Sequence, residues 1–407
     1  MSTAALFRNM ELPMATLAAN RTQALRLVKK LLAIPGASGR EKLVAQFIES
    51  ELLAAGAEKS WFRYDNAHKQ GPIADAEVGN LIVNIPGTLD APRRLLMAHM
   101  DTVPLCVGCT PIRRGDCLES RELDRGLGAD DRAGVAVVLH AAAQILRKQI
   151  PHPPLTLLFT IEEEIGLHGA KNLRTALLKK PQLAFNWDGG SSAKLTVGAI
   201  GGYRMSIEVS GIASHAGVAP QRGASAITIA SLAIARLHRG GWLGAIKKRK
   251  QSGTSNVGVI EGGAATNVVC DRVKLRAEAR SHDVEFLSKI VAEIETAFRE
   301  AAAEVKNEEG QSGSVEIAGR LDYEPFLLSS DEPSVTVAQQ TLAALGHQAE
   351  LSVANGGLDA NWLFRHGVPT VTFGCGQRNQ HMATEQLHLE SFYQACDIGL
   401  NVAAATA

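Results

Sequence analysis

Neither sign of charge is in excess: Lys and Arg number 42 and Asp and Glu number 42, a formal net charge of zero over 407 residues. That balance removes the electrostatic case for nucleic acid or an anionic membrane as the main partner. With 45% of the residues hydrophobic, it also excludes a disordered chain. Cysteine is scarce, six in the whole chain, which excludes a small disulfide-stapled scaffold. Cys106-x-x-Cys109 has no second Cys or His pair at metal spacing, so it reads as two ordinary loop thiols. No stretch approaches the ~18 consecutive apolar residues of a membrane span. In residues 1–20, Arg8 and Glu11 interrupt the apolar residues, and no signal-type core follows a basic start. The expectation is a cytoplasmic protein with reduced thiols, carrying an extra N-terminal segment without an assigned role. Internal repeats and low-complexity tracts are also absent.

A single core stops growing at ~250–300 residues, so more than one domain is expected. From Arg21, Leu25, Leu27, Val28, Leu31 and Leu32 recur at helical spacing until Ile34-Pro35-Gly36 stops them. Ser38-Gly39-Arg40-Glu41 starts a second helix, striped by Val44, Phe47, Ile48, Leu52 and Leu53 and ended by Gly56. Strands are predicted at 81–85, 94–101, 155–161 and 183–187, with a helix over 133–146. Strand–helix alternation with polar residues at strand ends describes an α/β sheet flanked by helices, with its site along one edge.

From about Gly201 the pattern changes. Strands at 203–210, 255–260, 273–279 and 314–317 and helices at 224–237 and 284–305 spell βαββαβ, a ferredoxin-like α+β unit. A helix at 334–345, a strand at 370–373 and a final helix then return to the first sheet. The expected organisation is a discontinuous α/β domain, 1–200 and 318–407, with an insertion at 201–317.

Five places put metal-ligand residue types at strand ends or in adjacent loops. In His99-Met100-Asp101 the two outer side chains share one face of a strand; alone, such a His is more often simply packed or solvated. Gly128-Ala129-Asp130-Asp131 precedes a helix and taken alone reads as an N-cap. Glu162-Glu163-Glu164 follows a buried strand directly, and three such carboxylates are costly there without a neutralising cation. A solvated charge run is the competing reading, and the apolar flanks Leu157, Leu158, Phe159 and Ile165 argue against it. Asp188-Gly189-Gly190 ends a strand, where a bare turn is the plain alternative. His381 lies in a Gly-rich loop with Glu385 four residues on, and His388 is the lower-ranked alternative. Together, two His and several carboxylates suit a pair of borderline divalent cations sharing one carboxylate.

In their order, His99-x-Asp101, Gly-Ala-Asp130-Asp131, Glu162-Glu163-Glu164-Ile-Gly, Asp188-Gly-Gly and His381 resemble the co-catalytic zinc peptidases. That family includes peptidase T, carboxypeptidase G, acetylornithine deacetylase and succinyl-diaminopimelate desuccinylase. Ile34-Pro35-Gly36-Ala37-Ser38-Gly39 resembles its N-terminal segment, and Ser214-His215-Ala216-Gly217 its "SHAG" signature. Gly262-Gly263-Ala264-Ala265-Thr266-Asn267-Val268 and Gly356-Gly357-Leu358-Asp359 resemble two further motifs. The likeness spans nearly the whole chain from Arg21, nearest the peptidase T branch.

The resemblance implies a zinc-peptidase catalytic domain with a mixed sheet and an inserted lid that also dimerises. It implies His99 and Asp188 on one metal, Glu164 and His381 on the other, and Asp130 bridging. Asp101 would orient His99, and Glu163 would be the general base for a water activated by the metal pair. The Asp130–Asp131 peptide would be cis. His215 would hold the developing oxyanion, from its own chain or a twin subunit. Asn267, Arg280 and Gly356 would face substrate, Arg280 through a fork matched to a carboxylate. The cofactor would be two Zn2+, with Co2+ or Mn2+ able to use the same ligands.

The implied reaction is amide hydrolysis on short peptides by an aminopeptidase of tripeptidase type. A deacylase of N-acyl amino acids or a carboxypeptidase is the alternative on the same metals. A metal-binding protein without turnover is a third reading, opposed by the presence of Asp101 and Glu163. Leu358 and Asn355 depart from the peptidase T pattern near the substrate end.

Overall fold

The computed structural model describes residues 16–404. The expectation drawn from residues 1–20 therefore falls largely outside the described residues. The chain divides into two compact units. One runs to Gly198 and resumes at Leu327–Ala354 and from Leu358 onward; the other is Ala199–Phe326 with Asn355–Gly357.

In the first unit a mixed sheet runs in the order Phe62–Tyr64, Leu81–Ile85, Leu155–Thr160, Arg94–His99, Leu183–Trp187, Thr370–Phe373, Lys194–Ala199. The four central strands, Leu155–Thr160 through Thr370–Phe373, are parallel, and antiparallel partners flank them. Arg94–His99, Leu155–Thr160 and Leu183–Trp187 are buried along their whole length. A parallel sheet covered on both faces needs such continuous apolar strands.

The helix Ala129–Lys148 packs on Arg94–His99 and Leu183–Trp187 and is itself covered by Arg21–Ala33 and Leu389–Ala404. Its small residues permit this: a Cβ on Gly134 would collide with the Trp187 carbonyl and the Asp131 carboxylate. On another face Ile82, Leu95, Met97 and Leu158 pack with Ala170, Leu173 and Leu363. Because the central strands are parallel, their C-terminal ends share one edge, and the polar residues noted above follow those ends.

A second, smaller sheet escaped the sequence reading, which had a plain loop before the last helix. Gln377–Arg378, Gln386–His388, Cys117–Ser120 and Pro111–Arg114 pair antiparallel in that order. These strands are two to four residues long, too short to show a period.

The second unit is an antiparallel sheet in the order Gly244–Lys248, Gln251–Gly262, Arg272–Ser281, Gly201–Ser210, Ser314–Tyr323. Its last four members have ferredoxin-like order. The first is an extra edge strand absent from the expected βαββαβ, and it has only Ile246 buried to mark it. Ser314–Tyr323 also runs past the expected end at 317, because Ala318-Gly319-Arg320 hides the alternation. Along Gly201–Ser210, Met205, Ile207 and Val209 face the core while Arg204, Ser206 and Glu208 face out. Ile229 and Ala233 of helix Ala226–Arg239 and Ile290, Ile294 and Phe298 of helix Val284–Glu304 close over that apolar face.

Candidate metal centre

The first unit gathers the five ligand candidates at the strand ends. Oxygen or ring-nitrogen atoms of His99, Asp130 and Asp188 lie within 4.8 Å of one another, as do those of Asp130, Glu164 and His381. Asp130 is common to both groups. One of its oxygens is 3.1 Å from His99 Nε2 and the other 3.3 Å from His381 Nε2. Glu164 Oε2 stands 2.9 Å from His381 Nε2, while its Oε1 is buried without a hydrogen-bond partner.

Backbone geometry separates the two adjacent aspartates. Gly128 is left-handed, Asp130 and Asp131 are non-helical, and the Asp130–Asp131 peptide is cis. Asp131 does the capping work, accepting the Gly134 N–H, and it also receives the His99 N–H and the Gln377 amide. Asp130 is left facing the histidines. The helix-cap reading of this turn thus holds for one aspartate and fails for its neighbour.

Asp101 lies beside His99, as the resemblance implies, and has further partners. His99 Nδ1 lies 3.1 Å from the Asp101 carbonyl and 3.4 Å from its carboxylate. The carboxylate also accepts the N–H of Glu163 (3.1 Å) and of Glu164 (3.2 Å) and the Ser38 hydroxyl (2.6 Å). Glu41 takes the preceding N–H, that of Glu162, at 3.1 Å together with that of Gly39. Three successive peptide N–H groups of the acidic turn are therefore received by two buried carboxylates. Arg132, also buried, donates to the Gly36 carbonyl, and its charge is felt at Asp101 and Glu41.

Electrostatics reflect the crowding. Burial, then the Asp130 charge, pushes Asp188 up to about 7. Burial raises Glu164 and lifts Glu163 well above the carboxylate range. Burial opposes charge on His99, yet hydrogen bonds from Asp101 and Asp130 raise it well above its ordinary value. Hydrogen bonds from Asp130 and Glu164 lift His381 to about 10. Asp130 goes the other way: despite burial, the two histidines hold it below the usual carboxylate range. Such a cluster is short of positive charge. The donor set, with a buried unpartnered Glu164 oxygen, fits two divalent cations sharing Asp130.

His215, Asn267, Arg280 and Gly356 belong to the second unit. His215 is exposed there, and its Nδ1 accepts the N–H groups of Gly217 (3.2 Å) and Val218 (3.1 Å). With Nδ1 accepting, the donor of the neutral ring is Nε2–H. The Asn267 carbonyl holds the Ala216 N–H of the same loop. Arg280 is already engaged as a fork on Glu278, at 3.0 and 3.1 Å. Gly356 has open space around it; Gly357 is the constrained one, because a Cβ there would strike the Tyr323 ring.

His388 bonds Ser391 and Asp116, away from the cluster. Cys106 and Cys109 are buried free thiols that donate to Glu385 and to the Leu32 and Leu127 carbonyls, as the plain reading expected. The sequence reading missed the bonding of Glu41 and Asp131. Ser38-Gly39-Arg40-Glu41 was legible only as a helix start.

The model of Peptidase family M20/M25/M40 matches residues 95–405. An uncharacterized protein, YqjE, of Bacillus subtilis (strain 168) is 33% identical over 321 residues, 79% of this chain and 82% of that one. Among solved structures, a tripeptidase from Staphylococcus aureus subsp. aureus Mu50 superposes with a TM-score of 0.85 at 30% identity, covering 95% of this chain and 99% of that one. Aminopeptidase PepT from Bacillus cereus ATCC 10987 gives 0.82 at 29% identity, covering 95% and 98%.

Proposed function

The chain belongs to peptidase family M20/M25/M40 and is a hydrolase, and from that premise we propose that it is a two-metal aminopeptidase of short peptides, tripeptides among them. The observation that carries the chemistry is the pair of ligand groups sharing Asp130. The likeness to a tripeptidase and to aminopeptidase PepT supports the substrate class.

His99 and Asp188 would hold one ion, Glu164 and His381 the other, and Asp130 both. Bound there, a divalent pair supplies Lewis acidity that polarises a carbonyl and acidifies water; Zn2+ is the proposed metal, with Co2+ or Mn2+ able to replace it. Glu163 accepts the proton of the attacking water on its carboxylate and passes it to the leaving amine nitrogen. Asp101 and Glu41 aim that carboxylate by fixing the turn that carries it. His215 Nε2–H, contributed by its own chain or a twin, donates to the carbonyl oxygen as charge grows on it. Asn267 and Gly356 line the substrate side; Arg280 holds Glu278 through Nε and Nη2, and its Nη1 edge would meet a substrate carboxylate.

The second unit would serve as lid and homodimer contact, which its exposed edge strand Ser314–Tyr323 supports. Light scattering checks this: a monomeric mass refutes the dimer. Among the described residues no helix is long and apolar enough to cross a membrane. Cytoplasmic residence, with no nucleic acid or membrane partner, is part of the proposal, supported by six free thiols.

The deciding experiment gives the zinc-loaded protein a tripeptide and its N-acetyl form and identifies products by mass. Loss of the first residue from the free peptide alone supports the aminopeptidase. Cleavage of the acetylated form alone, or release of the last residue, reassigns the protein as deacylase or carboxypeptidase.

A further inference from the structure

We propose that Glu385 is a positioning residue that sets His381 against Asp130, and so determines affinity at the Glu164/His381 half of the centre. The inference rests on the two-ion reading above.

His381 is the least supported of the five ligand candidates. Its side chain is about half exposed, 53%, and its backbone is left-handed at φ 61°. The ring meets only two of the other ligand candidates, Asp130 and Glu164. Its loop hangs between the two short strands Gln377–Arg378 and Gln386–His388. Asn379 Nδ2 to the Thr384 carbonyl and Gln380 Nε2 to Gln377 Oε1 tie that loop only to itself and its base.

Glu385 makes the link outward. It is buried, and its two oxygens accept the N–H groups of Gly128 (2.7 Å) and Asp130 (3.0 Å), with the Cys106 thiol at 3.3 Å. One carboxylate therefore joins the loop of one ligand to the peptide of another. Gln377, at the base of the same loop, also reaches the Asp130 turn through the Ala129 carbonyl and the Asp131 carboxylate, whereas Asp131 is anchored apart from the loop by the His99 and Gly134 N–H groups. His99 rests on a sheet strand. Losing Glu385 should thus loosen the His381 side and spare the His99 side. Carboxylates placed behind ligands in this way are typically worth about 10–100-fold in metal affinity.

The test is calorimetric titration of the apo protein with Zn2+, and with Co2+ followed by its visible spectrum, in wild type, Glu385→Gln, Glu385→Asp and His381→Ala. Gln keeps one acceptor and turns an NH2 toward a peptide N–H. The expected result is two ions in wild type and one site weakened ~10–100-fold in Glu385→Gln, the same site that His381→Ala removes, with a lower thermal midpoint of the apo protein because a buried N–H then faces a donor. If Glu385→Gln does not fold, Glu385→Asp decides by a smaller loss at the same site. Affinities within twofold of wild type at both sites, or equal losses at both, overturn the proposal. A wild type that binds fewer than two ions refutes the two-ion reading itself.

Discussion

Asp101→Asn discriminates between two jobs for one buried carboxylate. The family resemblance implies that it orients His99, and its shorter hydrogen bonds hold the acidic turn. In the structure the His99 Nδ1 contact at 3.1 Å is to the Asp101 backbone carbonyl, which Asn retains. The carboxylate oxygens serve Glu163 N–H, Glu164 N–H and Ser38 Oγ. An Asn amide must present NH2 where one oxygen stood. Whichever way it turns, a buried peptide N–H of Glu163 or Glu164 then faces a donor, at a cost of about 1–3 kcal/mol. The remaining bonds lose their charge assistance, worth about half their strength, so the total destabilisation should be about 2–4 kcal/mol. A turn displaced by about 1 Å at Glu163 costs about 100-fold in rate. We therefore expect kcat on a tripeptide to fall about 100-fold. Affinity at the His99/Asp188 site should fall less than about tenfold, below the usual range for a lost carboxylate partner. Steady-state kinetics, zinc calorimetry and urea melts measure the three quantities. A 10–100-fold loss at the His99 site with kcat nearly intact would refute the reasoning and restore the orienting role.

Glu163→Gln should lower kcat by about 100- to 10,000-fold while two ions still bind; a near wild-type rate sinks the general-base assignment. Chelation should abolish turnover and lower the melting temperature, since ions at 1,000 times their Kd contribute about 4 kcal/mol each, and Zn2+ should restore both; an unchanged melt contradicts a folded-state metal pair. Burial lowers His140 to about 4 from 6.5, so the unfolded chain binds the extra proton and stability is complete above pH 6.5 and lost as pH falls toward 4. The loss is about 3 kcal/mol, and His140→Gln should show a correspondingly smaller drop in denaturant melts over that window. Gly134→Ala should cost about 1–3 kcal/mol by overpacking against the Trp187 carbonyl, and an unchanged melt would mean that the helix shifts freely.

How much of this was legible follows from what each residue had to reveal. Leu155–Thr160 and Leu183–Trp187 announce themselves because a parallel strand covered on both faces must be apolar throughout. The ligand candidates stood out as polar residues at the ends of such runs. The edge strand Gly244–Lys248 and the two-residue strand Gln377–Arg378 did not, since one buried side chain carries no period. The bonding of Glu41 and Glu385 was hidden for another reason. Their partners are peptide N–H groups 121 and 255–257 positions away, and a sequence displays side chains rather than the donors that a fold brings near them.

That difference also says which carboxylates ask for a cation. Asp131 and Glu385 are buried, and each accepts at least two N–H groups, so their oxygens are satisfied by the protein itself even though burial raises both carboxyls. Glu162 has both oxygens unpartnered, and burial raises it to about 7. A solitary carboxyl of that kind can be carried with its proton. Asp130 cannot escape that way, because the two histidines that touch it hold it ionised. Each histidine also reaches a second carboxylate, Asp101 or Glu164, while Asp188 stays beside them at the same strand edge. His99 and His381 are thus the basic groups among these carboxylates. A cluster of carboxylates alone would suit a hard cation through oxygen, whereas one His to each half, with a carboxylate shared between them, suits the borderline metal pair proposed above.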